Sequence, residues 1–256
     1  MTIPLTSLAD FVKARHLLAI TGAGCSAPSG IPTYRDAQAQ WQRSAPIQHK
    51  DFLTSEQSRR RYWARSFAGW PAVQSARPNR AHHALAALER SGNIACLVTQ
   101  NVDGLHQRAG NSEEKVLQLH GTMQWVKCLG CGARHRFEEV RQWIESGVEV
   151  PECLQCGGIL KPDAVFFGEA MPVWETAEAT RRSSSCDLCI VIGSTLVVYP
   201  AGLMPQYAVS AGAKLVIIND GETALDHVAD VRIAARAGEV MTLTMERLKE
   251  KLGVGS

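Results

Sequence analysis

Five short apolar runs punctuate the chain: His16 to Thr21, Ile94 to Thr99, Val116 to Leu119, Leu188 to Ile192 and Leu215 to Ile218. They are rich in β-branched residues, bounded by Gly, Asn or Asp, and show no polar alternation. That pattern predicts strands buried on both faces, as in a parallel sheet. Helical periodicity lies between some of them, at Ala81 to Arg90 and within Pro200 to Ala211. Ser7 to Arg15 reads as a further short helix, capped by Ser7 or Asp10. Strands alternating with helices predict an α/β fold with a doubly wound, Rossmann-like parallel sheet.

Two segments break the alternation. Residues 36–79 are rich in Arg, Gln, Ser and Trp and read as a helical or loop insert, while Trp125 to Gly158 carries four of the eight cysteines. The expected organisation is a nucleotide-binding domain built from residues 1–35, 80–122 and 161–256. It is interrupted by the insert at 36–79 and by a small metal-binding module at 123–160.

Composition narrows the classes. The chain has 256 residues, 45% of them hydrophobic and 20% charged, with a formal net charge of +2. No strong field for nucleic acid or an acidic membrane surface follows, and the Arg59-Arg60-Arg61 run reads as a solvated helix face. No apolar run approaches the ~20 residues of a membrane span. The opening MTIPLTSLADF lacks a secretory pattern, so a cytoplasmic location is expected. Eight cysteines in such a chain point to metal or buried thiols rather than a disulfide scaffold.

Cys128-x-x-Cys131 and Cys153-x-x-Cys156 are each followed by glycine, and their separation is that of a four-thiolate zinc ribbon. Four thiolates leave no open coordination position, so the expected zinc is structural. Cys186-x-x-Cys189 runs into an apolar strand, where residues three apart face opposite sides, and reads as a pair of ordinary buried thiols. Cys25 and Cys96 read as small packed residues.

The stretch LLAITGAGCSAPSGIPTYR, from Leu17 to Arg35, opens like a dinucleotide-binding turn, yet Ala27 stands where the third glycine belongs. Downstream come Thr99-Gln-Asn-Val-Asp-Gly-Leu-His106, Leu119-His-Gly-Thr122, the cysteine pairs, Lys161-Pro-Asp-Ala-Val-Phe-Phe-Gly-Glu169, Gly193-Ser-Thr195 and Ile217-Ile-Asn-Asp220. In this order, from about Leu17 to Gly238, the motifs resemble the sirtuins, NAD-dependent protein lysine deacylases. Arg61-Tyr-Trp-Ala-Arg65 and the Pro151 to Pro162 segment look most like the class II branch of that family.

The resemblance implies a set of roles. NAD is the co-substrate, held by Gly22, Ala23, Gly24 and Ser26 at its phosphates and by Ile31, Pro32, Tyr34 and Arg35 over the nicotinamide ribose. Gln100, Asn101 and Asp103 line the nicotinamide pocket. Gly193, Ser194, Thr195, Asn219, Asp220 and Gly221 meet the diphosphate and adenosine end. Acylated-lysine proteins or peptides are the implied partners, added as a strand between Val165-Phe166-Phe167-Gly168-Glu169 and Leu196-Val197-Val198. The implied catalytic residues are His120, as general base, and Asn101. The products are nicotinamide, free lysine and O-acyl-ADP-ribose. His82, His83 and His106 read as structural. Tyr62 and Arg65, three apart on one helix face, are candidates to hold the carboxylate of an acidic acyl group. Acetyl and longer or lipoyl-type acyl groups are expected substrates. Mono-ADP-ribosyl transfer to protein from the same NAD site is the alternative activity, and a non-catalytic NAD-sensing or zinc-ribbon binding module is a third reading.

Overall fold

The structure, a computed structural model, describes residues 16–33 and 46–252. Ser7 to Arg15, Tyr34 and Arg35 lie outside the described residues, so the expectations attached to them have no structural counterpart.

A six-stranded sheet forms the centre, in the order β3-β2-β1-β7-β8-β9. Its strands are β1 (Leu17–Thr21), β2 (Ile94–Thr99), β3 (Val116–Gln118), β7 (Leu188–Ile192), β8 (Lys214–Ile218) and β9 (Val231–Ile233). Every pairing is parallel. All five expected strands are present within a residue or so of their expected ends. β9 is the addition: three residues long and carrying Arg232, it offers too little apolar pattern to read as a strand.

Burial explains the unbroken apolar runs. Along β1, Leu17 and Ala19 join one cluster with Leu85, Leu88, Val240 and Met241, and Leu18 and Ile20 join another with Ala179, Met204 and Ala208. Successive side chains thus reach opposite helical layers. The first layer holds α4 (Arg80–Arg90) and α9 (Ala237–Leu252); the second holds α7 (Val173–Ser183) and α8 (Met204–Ser210). The remaining helices are α1 (Ala23–Ser26), α2 (His49–Thr54), α3 (Glu56–Ser75), α5 (Leu105–Ala109) and α6 (Phe137–Glu145).

The insert is helical where it is described. The long α3 starts at Ser55, whose side chain accepts the Ser58 amide. It buries Trp63 and Trp70 against Phe137, Val126 and Leu160 of the cysteine module, with Trp70 stacked on Phe137 at 4.1 Å between ring centroids. Burying each such aromatic contributes on the order of 1.5–3 kcal/mol. Arg60 of the basic run pairs with Glu56 and Glu149 on the exposed side of α3.

The second sheet is antiparallel, in the order β5-β4-β6, with β4 (Gly121–Cys128), β5 (Arg134–Arg136) and β6 (Leu160–Ala164). β6 pairs with β4, so strand partnership in the cysteine module extends past residue 160. Register explains this: Cys128 lies opposite Leu160, and Gly121 lies opposite Ala164. Both ends of β6 are therefore tied to the strand that leads to the first cysteine.

Candidate active site

The sheet order reverses direction at β1, where β2 lies on one side and β7 on the other. Open α/β sheets bind ligands at such a switch point, beyond the carboxyl ends of the strands. Thr21, Thr99 and Ile192 end their strands in register there, and the loops that follow hold the motif residues.

The two glycine loops are locked together by close packing. The Gly22 amide donates to the Ile192 carbonyl at 3.0 Å, and the Gly24 amide to the Gly193 carbonyl at 2.9 Å. A Cβ on Gly24 would stand 2.9 Å from Gly193 Cα; one on Gly193, itself at φ +63°, would stand 2.3 Å from the Cys25 nitrogen. These glycines let two backbones meet, leaving a floor without side chains at the centre of the cleft.

Ser26 lies inside the glycine loop. Its hydroxyl is buried, accepts from Asn101 Nδ2 at 3.0 Å and lies 3.3 Å from His82 Nε2. It supports the loop from beneath. Asn101 Nδ2 also donates to the Gly22 carbonyl at 3.0 Å, so both amide protons of Asn101 hold the glycine loop. Gln100 Nε2 donates to Ser194 Oγ at 2.9 Å and bridges the ends of β2 and β7. Asp103 is buried and its Oδ1 accepts the Leu105 amide; burial pushes its carboxyl above the usual range.

His120 stands half-buried at the end of β3. Its Nδ1 lies 2.9 Å from the Gln100 carbonyl, an acceptor only, so Nδ1 carries the proton and Nε2 keeps its lone pair. Burial lowers its pKa, only partly opposed by the Gln100 carbonyl, and the ring is neutral near pH 7. The His120 carbonyl in turn accepts the Val165 amide at 2.9 Å, fixing the Val165–Glu169 segment beside the histidine.

That segment rests on a buried ion pair that the sequence did not reveal. Lys161 is fully buried, and its Nζ reaches Glu169 Oε2 at 2.9 Å and the Pro162 and Ala164 carbonyls at 3.0 and 2.6 Å. Glu169 Oε2 also accepts the Phe166 amide. Phe167 is exposed, as is Val197 on the opposite motif, while Leu196 is buried. Tyr62 packs on Phe166 at 4.8 Å and on Phe52 at 5.4 Å, and its hydroxyl meets Met123 Sδ at 3.7 Å. The insert thus leans directly on this segment, with Arg65 exposed one turn along α3.

At the far end, Thr195, Asp220 and Gly221 are exposed. Asn219 Nδ2 donates to the Gly221 carbonyl, and Arg232 donates to both the Asn219 and Gly221 carbonyls, clamping that loop. Ile31 is half-buried and Pro32 exposed, at the edge of the described residues.

The four cysteines of the ribbon converge. Their sulfurs lie within 4.8 Å of one another, with Cys128–Cys156 at 3.5 Å and Cys131–Cys153 at 3.6 Å. Zinc–sulfur bonds of about 2.3 Å in a tetrahedron give sulfur separations of about 3.7 Å, so the residues fit one zinc ion. Cys186 and Cys189 are buried apart from this group, and desolvation pushes the Cys186 thiol up to about 11.

Comparison with known proteins shows the family and the fold. The Sir2 family profile matches residues 22–200. An NAD-dependent protein deacetylase of Bradyrhizobium diazoefficiens is 42% identical over 90% of this chain and 93% of its own length. One from Xanthomonas campestris pv. campestris is 37% identical over 96% and 94%. A solved structure of Sir2 with a p53 peptide and NAD+ superposes with a TM-score of 0.87 at 35% identity, covering 99% of this chain and all of the other. A family match over residues 22–200, shared sequence over nearly the whole length and the same fold place this chain in the Sir2 family, the sirtuins.

Proposed function

We infer that this chain is an NAD-dependent protein lysine deacylase, which transfers the acyl group of a modified lysine to the ADP-ribose of NAD and releases nicotinamide. The observation that carries the reading is the setting of His120: half-buried, with Nδ1 2.9 Å from the Gln100 carbonyl, so that Nε2 keeps its lone pair, and with burial favouring the neutral ring. A base of this kind can take a proton from a ribose hydroxyl near neutral pH. Deacetylation is also the activity named for the relatives, which favours acyl removal over ADP-ribosyl transfer to protein.

The other residues take supporting roles. The Gly22–Gly24 and Gly193 floor allows close approach of the NAD diphosphate, with Ala23 and the exposed Thr195 at its sides. Asn101 and Asp103 orient the nicotinamide carboxamide, and Asn219, Asp220 and Gly221 face the adenosine ribose. Val165–Glu169 and Leu196–Val198 receive the peptide as an added strand, with the acyl-lysine directed toward His120. Holding the weakly nucleophilic amide oxygen against the ribose carbon supplies rate by proximity. The ribbon at 123–160 and the insert at 36–79 serve as supports for the NAD domain, and the zinc as a structural ion. A cytoplasmic location accords with this substrate class; no helix among the described residues is long and apolar enough to cross a membrane.

His120→Ala tests the assignment. It retains NAD binding and loses acyl removal by ~10²–10⁴-fold. Nicotinamide exchange survives, because the base acts after glycosidic cleavage. Wild-type turnover in this variant removes His120 from the mechanism, and ADP-ribosylated protein as the main product, by mass spectrometry, replaces deacylation with ribosyl transfer.

A further inference from the structure

Beneath the glycine loop lies a group of side chains that the proposed chemistry does not use. The ligand-capable atoms of Cys25, His82 and His106 all fall within 4.8 Å of one another, and all three residues are buried. Their neighbours fix the ring states. The Asn79 amide donates to His82 Nδ1, so Nε2 carries the proton and faces Ser26 Oγ. The Thr21 hydroxyl donates to Thr99 and therefore accepts from His106 Nε2, at 2.8 Å. His106 Nδ1 is left with a lone pair, fully buried and without a hydrogen-bond partner. An orphaned buried acceptor costs on the order of 1–3 kcal/mol. A cation held at that lone pair would remove the cost.

We propose that Cys25, His82 and His106 form a second metal site, specific for one Cu(I) ion, and that filling it inhibits the enzyme. Three donors converge, one thiol and two imidazoles, and no carboxylate belongs to the group. A soft thiolate with three-fold coordination suits Cu(I), whereas Zn(II) demands a fourth ligand. Cu(I), one thiolate and two neutral imidazoles sum to zero, so the filled site adds no charge to a dry interior beside the nearby Asp103 carboxyl, which already faces Cys25. The ion enters as Cu(I), the Cys25 thiol releases one proton to solvent, and Sγ, His82 Nε2 and His106 Nδ1 become ligands. No electron is transferred. The His82 proton moves from Nε2 to Nδ1.

That proton shift links the site to catalysis. With Nδ1 protonated, His82 no longer accepts the Asn79 amide, and with Nε2 on the metal it no longer faces Ser26 with a donor. Asn79 is the N-cap of α4 and also donates to the Cys25 carbonyl at 2.8 Å and Ser29 Oγ at 2.9 Å. Ser26 in turn holds Asn101. Occupancy therefore loosens the glycine loop and the residue placed at the nicotinamide pocket, from inside the fold.

The test uses full-length, zinc-loaded protein under anaerobic conditions, titrated with Cu(I) against bicinchoninate, with zinc release followed by a chromogenic chelator. Wild type takes up one equivalent of Cu(I) before any zinc leaves. Cys25→Ala and His106→Gln, checked for folding by near-UV circular dichroism, bind that equivalent at least 100-fold more weakly. Deacylation falls in step with loading in wild type and withstands the same copper in Cys25→Ala. A first equivalent that displaces ribbon zinc, equal uptake by both variants, preferential uptake of Zn(II) in parallel titrations, or equal inhibition of Cys25→Ala overturns the proposal. Copper uptake is read without any enzymatic assay, so its outcome is independent of the deacylase assignment.

Discussion

Replacing Lys161 by Met leaves the side-chain volume nearly unchanged and removes one charge. In the native fold the ammonium has three acceptors, Glu169 Oε2 and the Pro162 and Ala164 carbonyls, one for each of its protons. It also lies 4.5 Å from the centre of the Phe166 ring. Burial lowers its pKa, with Glu169 opposing that shift. Removing one member of a buried ion pair typically costs ~3–5 kcal/mol, because the partner charge stays behind. Two carbonyls also lose a donor, at up to ~1–3 kcal/mol each where water does not replace it. Glu169 keeps the Phe166 amide and has His49 Nε2 at 3.8 Å, which moderates the loss. We therefore expect Lys161→Met to destabilise by about 4 kcal/mol, or a fall in Tm of about 10 °C for a chain of this size. Glu169→Gln leaves the fully buried Lys161 ammonium without its counter-charge and costs a similar ~3–5 kcal/mol, eased where the lysine sheds its proton. The double variant Lys161→Met/Glu169→Gln should lose less than the sum, since no unpaired charge remains. Urea unfolding of the four proteins measures the cycle, and peptide KM reports the Val165–Glu169 segment. A Lys161→Met protein within 1 kcal/mol of wild type, or strictly additive losses, would refute this reasoning.

Three further outcomes are expected. With His120 as the base, deacylation needs its neutral form, whose pKa is lowered by burial; the acidic limb of the pH–rate profile, which rises with pH, should then lie below the ordinary histidine value of about 6.5 and vanish in residual His120→Ala activity. Cys128→Ser should lose zinc and much of the stability of the ribbon, while Cys186→Ser keeps one zinc per chain by metal analysis; full zinc in Cys128→Ser would remove that residue from the ligand set. Arg65→Met, compared with wild type on acetyl-, succinyl- and lipoyl-lysine versions of one peptide, should lose only the succinyl substrate if the Tyr62–Arg65 pair reads a carboxylate; uniform loss, or none, returns Arg65 to packing at the surface of α3.

The parallel strands were legible because both faces of each are buried, which writes burial into the sequence as unbroken apolar runs. The cysteine pairs were legible because coordination fixes their spacing. The contacts of Ser26 were not legible because its motif carries no sign of which way the hydroxyl turns; it meets Asn101 and His82, residues 75 and 56 positions away. The Lys161–Glu169 pair, only eight positions apart, was hidden for another reason: a lysine beside a proline looks like any surface lysine. The packing between Gly24 and Gly193 was hidden as well, since each glycine alone suits an ordinary turn. What escaped the sequence was the set of partners joining distant segments, while what it disclosed was local periodicity and spacing.

The antiparallel pair β4–β6 links features usually considered separately. β4 starts at Gly121, immediately after the histidine, and ends seven residues on at Cys128, one of the four clustered cysteines. β6 returns antiparallel and delivers Val165, whose amide closes on the His120 carbonyl. His120 and the Val165–Glu169 segment are thus the two free ends of one hairpin-like frame, and the four sulfurs lie at its opposite end. A rigid tilt of the whole frame carries both together and leaves their spacing intact. A slip of one strand along the other does not, since it shifts every pairing by a residue and turns each side chain to the other face. A metal held by the four sulfurs, some 25 Å of strand away from His120 at about 3.3 Å per residue, would act in this frame as the pin that forbids the slip, keeping time between two segments that it never touches.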